Sequence, residues 1–213
     1  MSSQPESSET AETPESSETP ERAKNGIEGR YDRIVWIDCE MTGLDLSRDV
    51  LVEIACIVTD AELNELDEGY TSVIATDEAT LAAMQPRVTE LHHESGLLPL
   101  IAGGISLEQA AAETLEYIQS HVSETLRAPL AGSTIYVDRG FLALQMPEVD
   151  AYLHYRVIDV SSIKELVRRW YPKVYFSAPA KTGNHRALGD IRDSIAELRY
   201  YRQTVFTASK GSR

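Results

Sequence analysis

Four large apolar residues, Ile34-Val35-Trp36-Ile37, run directly into Asp38-Cys39-Glu40. This junction constrains the fold more tightly than any other stretch of the chain. A strand turns alternate side chains to opposite faces, so Asp38 and Glu40 point the same way and Cys39 points the other. Neighbouring carboxylates repel and resist desolvation, so packing alone gives no reason to place two of them at the end of an apolar strand. A hard divalent cation held by oxygen ligands, such as Mg2+ or Mn2+, does give one. The plainer alternative is a strand that emerges into a solvated loop at Met41-Thr42-Gly43.

The remaining segments build an α/β domain around that strand. Ile34 to Cys39 is the first strand, Val50 to Thr59 a second and Tyr70 to Ala75 a third, with Asp, Asn or Gly turn signals between them. Such short connections suit an antiparallel meander, because parallel strands need a longer crossover. Asp77 to Met84 and Val88 to His93 read as short helices. Ser106 is a candidate N-cap for a helix over Leu107 to Val122, where Leu107, Ala111, Leu115 and Ile118 recur at helical spacing. Leu130-Ala131 is a short strand, Arg139 to Met146 a helix stopped before Pro147, and Val157 to Val160 the last strand. Ser161 or Ser162 then caps a helix ending near Trp170, ahead of Pro172, and His185 to Tyr201 forms the final long helix. The expected product is a single α/β domain with a mixed five-stranded sheet flanked by helices.

With 213 residues there is room for one well-packed domain. Residues 1–28 are not expected to belong to it. They are Ser, Glu, Thr and Pro with almost no large apolar residue, and Pro-Glu-Ser-Ser-Glu-Thr occurs twice, from Pro5 and from Pro14. Such a segment cannot offset its ordering entropy by burial, so it reads as a disordered acidic tail. It also lacks the basic start and apolar stretch of a secretory signal. The domain is expected over residues 29–206, with 207–213 fraying.

The formal net charge is -14; the tail through Glu21 holds six glutamates and no basic residue, which leaves about -8 for the rest. A grip on long nucleic acid normally needs a basic surplus. Any nucleic-acid substrate is therefore expected to be short, or held through a metal-centred pocket and a few local cations. Cys39 and Cys56 are the only cysteines, each within an expected strand, and read as reduced, buried thiols of a cytoplasmic protein. No apolar run approaches the roughly 18 residues of a membrane span.

Three elements can complete the first acidic pair. Asp138 follows the short fourth strand, just before the expected helix start, where an acid is also favoured by the helix dipole. His185 follows Thr182-Gly183-Asn184, and Asp190 comes five residues later. Five helical residues advance about 140° net, so His185 and Asp190 share a site only if His185 lies on the loop. Taken in order, Asp-x-Glu, a mid-chain Asp and His-x4-Asp resemble the histidine-bearing branch of the DEDD exonuclease superfamily. Longer blocks narrow the resemblance. Trp36 to Leu44, Ser95-Gly96-Leu97, Pro129 to Gly132, Asp138-Arg139-x-Phe141, Met146-Pro147, His154 to Leu166 and His185 to Arg192 follow in the order seen in oligoribonucleases. The resemblance covers about residues 30–206.

The resemblance implies a ribonuclease H-like fold and a 3'-to-5' exoribonuclease that degrades very short oligoribonucleotides, down to dinucleotides. It implies that Asp38, Glu40, Asp138 and Asp190 hold two divalent ions, Mg2+ or Mn2+, and that His185 is the general base. Leu44 corresponds to an apolar residue wedged between bases. Arg156, Ser161 and Thr134 correspond to groups that receive the 5' phosphate. Tyr155 corresponds to a tyrosine that crosses a homodimer interface into the partner's site. His92 matches a family histidine near the substrate, although the bland reading of His92-His93 is two diverging neighbours. The chain departs from the family in two places. Residues 71–116 have no aromatic to pack on a base, a role left for Met84 or another apolar residue, and Gly132-Ser133-Thr134 replaces the usual Gly-Asn-Ser. Two other functions compete: a broader DEDD exonuclease trimming longer RNA or DNA, and a non-catalytic nucleotide-binding module.

Overall fold

The computed structural model describes residues 32–181 and 186–206, so the expected acidic tail, the residues from 207 onward and His185 lie outside the described residues. The apolar run with its acidic pair is β1 (Arg33–Met41), which pairs antiparallel with β2 (Leu51–Asp60); β2 pairs antiparallel with β3 (Tyr70–Val73). The expected meander is therefore present. On the other side β1 runs parallel to β4 (Pro129–Gly132), and β4 parallel to β5 (His154–Asp159), giving the mixed five-stranded order β3-β2-β1-β4-β5. The two parallel pairings follow long helical crossovers, as chain reach requires.

Helices cover both faces. Between β3 and β4 come α1 (Glu78–Ala82), α2 (Pro86–Glu94), α3 (Leu98–Ile101) and α4 (Leu107–His121). Between β4 and β5 come α5 (Tyr136–Gln145) and α6 (Pro147–Tyr152), and after β5 come α7 (Val160–Trp170), α8 (Pro172–Phe176) and α9 (Ala187–Thr204). Ser106 caps α4 as expected, accepting the Gln109 amide. Pro147 and Pro172, expected as stops, each also open a new short helix. Proline at the first helical position forfeits no intrahelical hydrogen bond and already has a helical φ.

Alternation along β1 divides the core in two. Val35, Ile37, Cys39 and Met41 pack with Ile54 and Cys56 against α4, α5 and α6. Ile34 and Trp36 pack with Ala55 and Ile57 against Val167 of α7 and Ile191 and Ile195 of α9. Trp36 is fully buried, and its indole N–H donates to Thr59 Oγ1 at 3.0 Å, so no polar atom is stranded there. Asp38 and Glu40 continue the Trp36 side of the strand, so they face the start of α9.

Two local expectations are corrected. Asp159, rather than Ser161 or Ser162, caps α7: its Oδ1 accepts the Ser161 amide at 2.9 Å and the Ser161 hydroxyl at 2.7 Å. A carboxylate placed before the first helical turn reaches that amide and hydroxyl directly. Helix α5 begins at Tyr136, earlier than Arg139, which puts Asp138 inside its first turn. The turn closes early because the Thr134 and Ile135 carbonyls accept the Val137 and Arg139 amides.

Candidate active site

The C-terminal end of β1, the first turn of α5 and the first turn of α9 meet at one open cleft of about 650 Å³. Asp38 and Glu40 come from the strand and Asp190 from α9, and each can offer a carboxylate oxygen within 4.8 Å of the other two. Asp138 lines the same cleft, but its Oδ1 accepts the Cys39 amide at 2.9 Å. Thus three of the four expected acids converge directly, while the fourth stands beside them with one oxygen engaged by the strand.

Burial and charge repulsion raise the proton affinity of Asp38, Glu40 and Asp138. Burial, then Asp138, Glu40 and Asp190, push the Asp38 carboxyl well above its ordinary range. Burial first and Glu53 next raise Glu40 to about 8, with Arg186 opposing. Burial raises Asp138 to about 7 against the lowering effect of the Cys39 amide. Lys181, also on the cleft, offsets only part of this for Asp38. Carboxylates crowded this way retain protons unless a cation compensates them. The donors are all oxygen, the set that suits a hard divalent cation, so the residues fit such an ion.

The loop after β1 presents the apolar wall. Asp49 organises it, accepting the Thr42 hydroxyl at 3.2 Å and the Asp45 amide at 2.8 Å. A Cβ at position 43 would lie 2.3 Å from Asp49 Oδ2, so any other residue there displaces the carboxylate that organises the loop. Leu44, next along, is 74% exposed at the cleft. Opposite it, Val88 and Leu91 of α2 line the cleft; Met84, the named candidate for the missing aromatic, is buried and absent from the lining. Helix α2 also brings His92 to the cleft. His92 is buried, whereas His93 is exposed. The Nε2–H of His92 donates to the Met41 carbonyl at 2.8 Å, which leaves Nδ1 facing Glu40 Oε2 at 3.8 Å. It is the one buried residue of α2.

On the far wall the Thr134 amide donates to Asp159 Oδ1 at 3.0 Å and to Ser161 Oγ at 3.2 Å. Thr134 and Ser161 are therefore brought together, with Asp159 as their organiser. Thr134 sits at φ 63°, the left-handed region that disfavours a β-branched residue. Thr134→Asn is expected to stabilise the fold by about 1 kcal/mol, since Asn tolerates this conformation; paired denaturant titrations measure it. Tyr155 and Arg156 lie elsewhere. Both are exposed on the edge strand β5, with the Arg156 guanidinium over the Tyr155 ring at 5.2 Å, and neither lines this chain's cleft.

A ribonuclease H-like sheet carrying this acidic cleft defines a DEDD-type exonuclease. A family model described as Exonuclease matches residues 35–198. Oligoribonuclease of Streptomyces griseus is 57% identical over 180 residues, 84% of this chain and 90% of the relative. Oligoribonuclease of Mycolicibacterium paratuberculosis is 56% identical over 181 residues, 84% of each chain. The chain belongs to the oligoribonuclease family. Solved structures of E. coli exonuclease I share its fold, one in complex with a dA16 oligonucleotide at TM-score 0.63 and 14% identity. That match covers 81% of this chain and 41% of exonuclease I, so the chain spans less than half of that larger protein.

Proposed function

We propose that the chain is a 3'-to-5' exoribonuclease that hydrolyses very short oligoribonucleotides, down to dinucleotides, to mononucleotides. The convergence of Asp38, Glu40 and Asp190 beside Asp138 carries this reading, together with the oligoribonuclease relatives. Asp38, Glu40, Asp138 and Asp190 would hold two Mg2+ or Mn2+ ions. When bound, such a pair stabilises the attacking and leaving oxygens of an in-line phosphoryl displacement. His185, by its place in the motif, would take the proton from the attacking water, a task suited to imidazole near neutral pH.

Chain residues supply the length limit. Leu44 would wedge against a base, and Thr134 and Ser161 would receive the 5' phosphate at the end of a cleft whose surroundings carry a net negative charge. Arg156 would add a guanidinium, which suits a phosphate oxygen. Tyr155, exposed on β5 and not lining this chain's cleft, would reach the partner's site in a homodimer. Strand β5 is the sheet edge, and Tyr155 is 71% and Val157 43% exposed on it. An uncovered apolar edge strand is a ready surface for a second chain. Among the described residues no helix is long and apolar enough to cross a membrane, and the free buried Cys39 and Cys56 suit a reducing cytoplasm.

Hydrolysis of 5'-phosphorylated RNAs of graded length, with and without metal, tests the reading. The expected kcat/KM on a dinucleotide exceeds that on a long single strand by at least about tenfold. Tyr155→Ala is expected to lose activity with the dimer intact by light scattering. Preference for the long strand would sink the short-substrate reading, and metal-independent turnover would sink the mechanism.

A further inference from the structure

We propose that Glu53 and Arg186 are a positioning pair for this site, holding the start of α9 so that the Asp190 carboxylate meets those on β1. The proposal rests on the hydrolytic reading above. Glu53 lies on β2, 1% exposed, where a carboxylate is costly unless fully engaged. It is engaged by three donors. The Arg186 guanidinium binds it through Nε, at 2.9 Å to Oε1, and through Nη2, and the Ala187 amide donates to Oε2 at 3.2 Å.

These contacts lead directly to the acids. Arg186 is the residue before the first turn of α9, and its own side chain caps nothing there. Glu53 supplies the missing cap from a neighbouring strand, with its charge at the favourable end of the helix dipole. The Arg186 carbonyl in turn accepts the amides of Gly189 at 2.9 Å and Asp190 at 3.1 Å. The residue clamped by Glu53 is thus the one that holds the Asp190 backbone. On the strand side, Glu53 stands directly opposite Glu40 in the β1–β2 register. Cross-strand partners share a face and lie about 5 Å apart, so the carboxylate that ties the helix bearing Asp190 to β2 stands beside Glu40 on β1. A helix-docking ion pair with no part in catalysis would not need to sit at this crossing.

Two variants separate placement from stability. Glu53→Gln keeps the shape and one acceptor but removes the charge that holds the fork. Arg186→Lys keeps the charge but cannot reproduce the two-nitrogen grip. For both, kcat on a 5'-phosphorylated dinucleotide is expected to fall about tenfold to a hundredfold, the cost of a misplacement near 1 Å, with KM changed less than about threefold. Calorimetric titration with Mn2+ is expected to show affinity weakened about tenfold, as for lost metal-site supports. Should Glu53→Gln fold poorly, Arg186→Lys decides the matter. Variants that keep kcat and Mn2+ affinity while losing only thermal stability would overturn the proposal. If the wild type shows no metal-dependent hydrolysis, the function falls instead, and the Mn2+ titration still judges the pair.

Discussion

Asp38→Asn is expected to reduce turnover by on the order of a thousandfold or more, equivalent to about 4 kcal/mol of transition-state stabilisation, while making the metal-free protein more stable. The amide keeps the volume of the carboxylate and removes its charge. In the folded metal-free chain that carboxyl must either be desolvated as an anion beside Asp138, Glu40 and Asp190 or take up a proton, and both cost stability. Relieving that cost should add about 1–2 kcal/mol to stability, the usual exchange at a site whose geometry serves function over folding. Dinucleotide hydrolysis at saturating Mn2+ and thermal unfolding in chelator give the two measurements. An active Asp38→Asn would remove this residue from the ligand set, and a lowered midpoint would mean that the carboxylate stabilises the fold.

The same crowding makes stability depend on pH in an unusual direction. Glu40 titrates at about 8 and Asp138 at about 7 in the folded protein, whereas carboxylates in an unfolded chain titrate near 4. Between about pH 4 and 8 the folded metal-free protein therefore holds more protons than the unfolded chain. Its stability is greatest at the acid end of that window and declines as pH rises, by at most about 1.4 kcal/mol per pH unit for each group. A divalent cation binds the deprotonated carboxylates, so its stabilisation grows with pH as the protons leave. Unfolding midpoints in chelator should fall from mildly acidic to mildly alkaline pH, and saturating Mn2+ should flatten or reverse that trend. A metal-free midpoint that rose over the same range would contradict the crowding.

Several features were legible in residue order because they depend on neighbours along the chain. Alternation set Asp38 and Glu40 on one face, and short turn-marked connections gave the antiparallel β1–β2–β3 meander. The motif blocks, from Trp36 to Leu44 and from His185 to Arg192, carried the family. Helix edges were less legible. Pro147 and Pro172 end one helix and begin another, and local pattern does not separate those roles. Val88 and Leu91, not Met84, line the apolar side of the cleft, because Met84 lies in the turn before α2 and is buried.

Burial and engagement at the cleft came only with packing. Glu53 reads as an ordinary polar residue in an apolar strand until Arg186, 133 residues away, closes on it. His92 was set apart from His93 only by its match to a family histidine; its burial and its bond to the Met41 carbonyl come from packing. Asp138 stands beside the other acids, and the Cys39 amide, 99 residues away, holds one of its oxygens. The acidic pair on β1 follows from the two-residue repeat of an extended chain. Which acids meet it, at what spacing and with what proton affinity, follows from sheet register and helix docking, because only those contacts between distant residues set burial and the distance between charges.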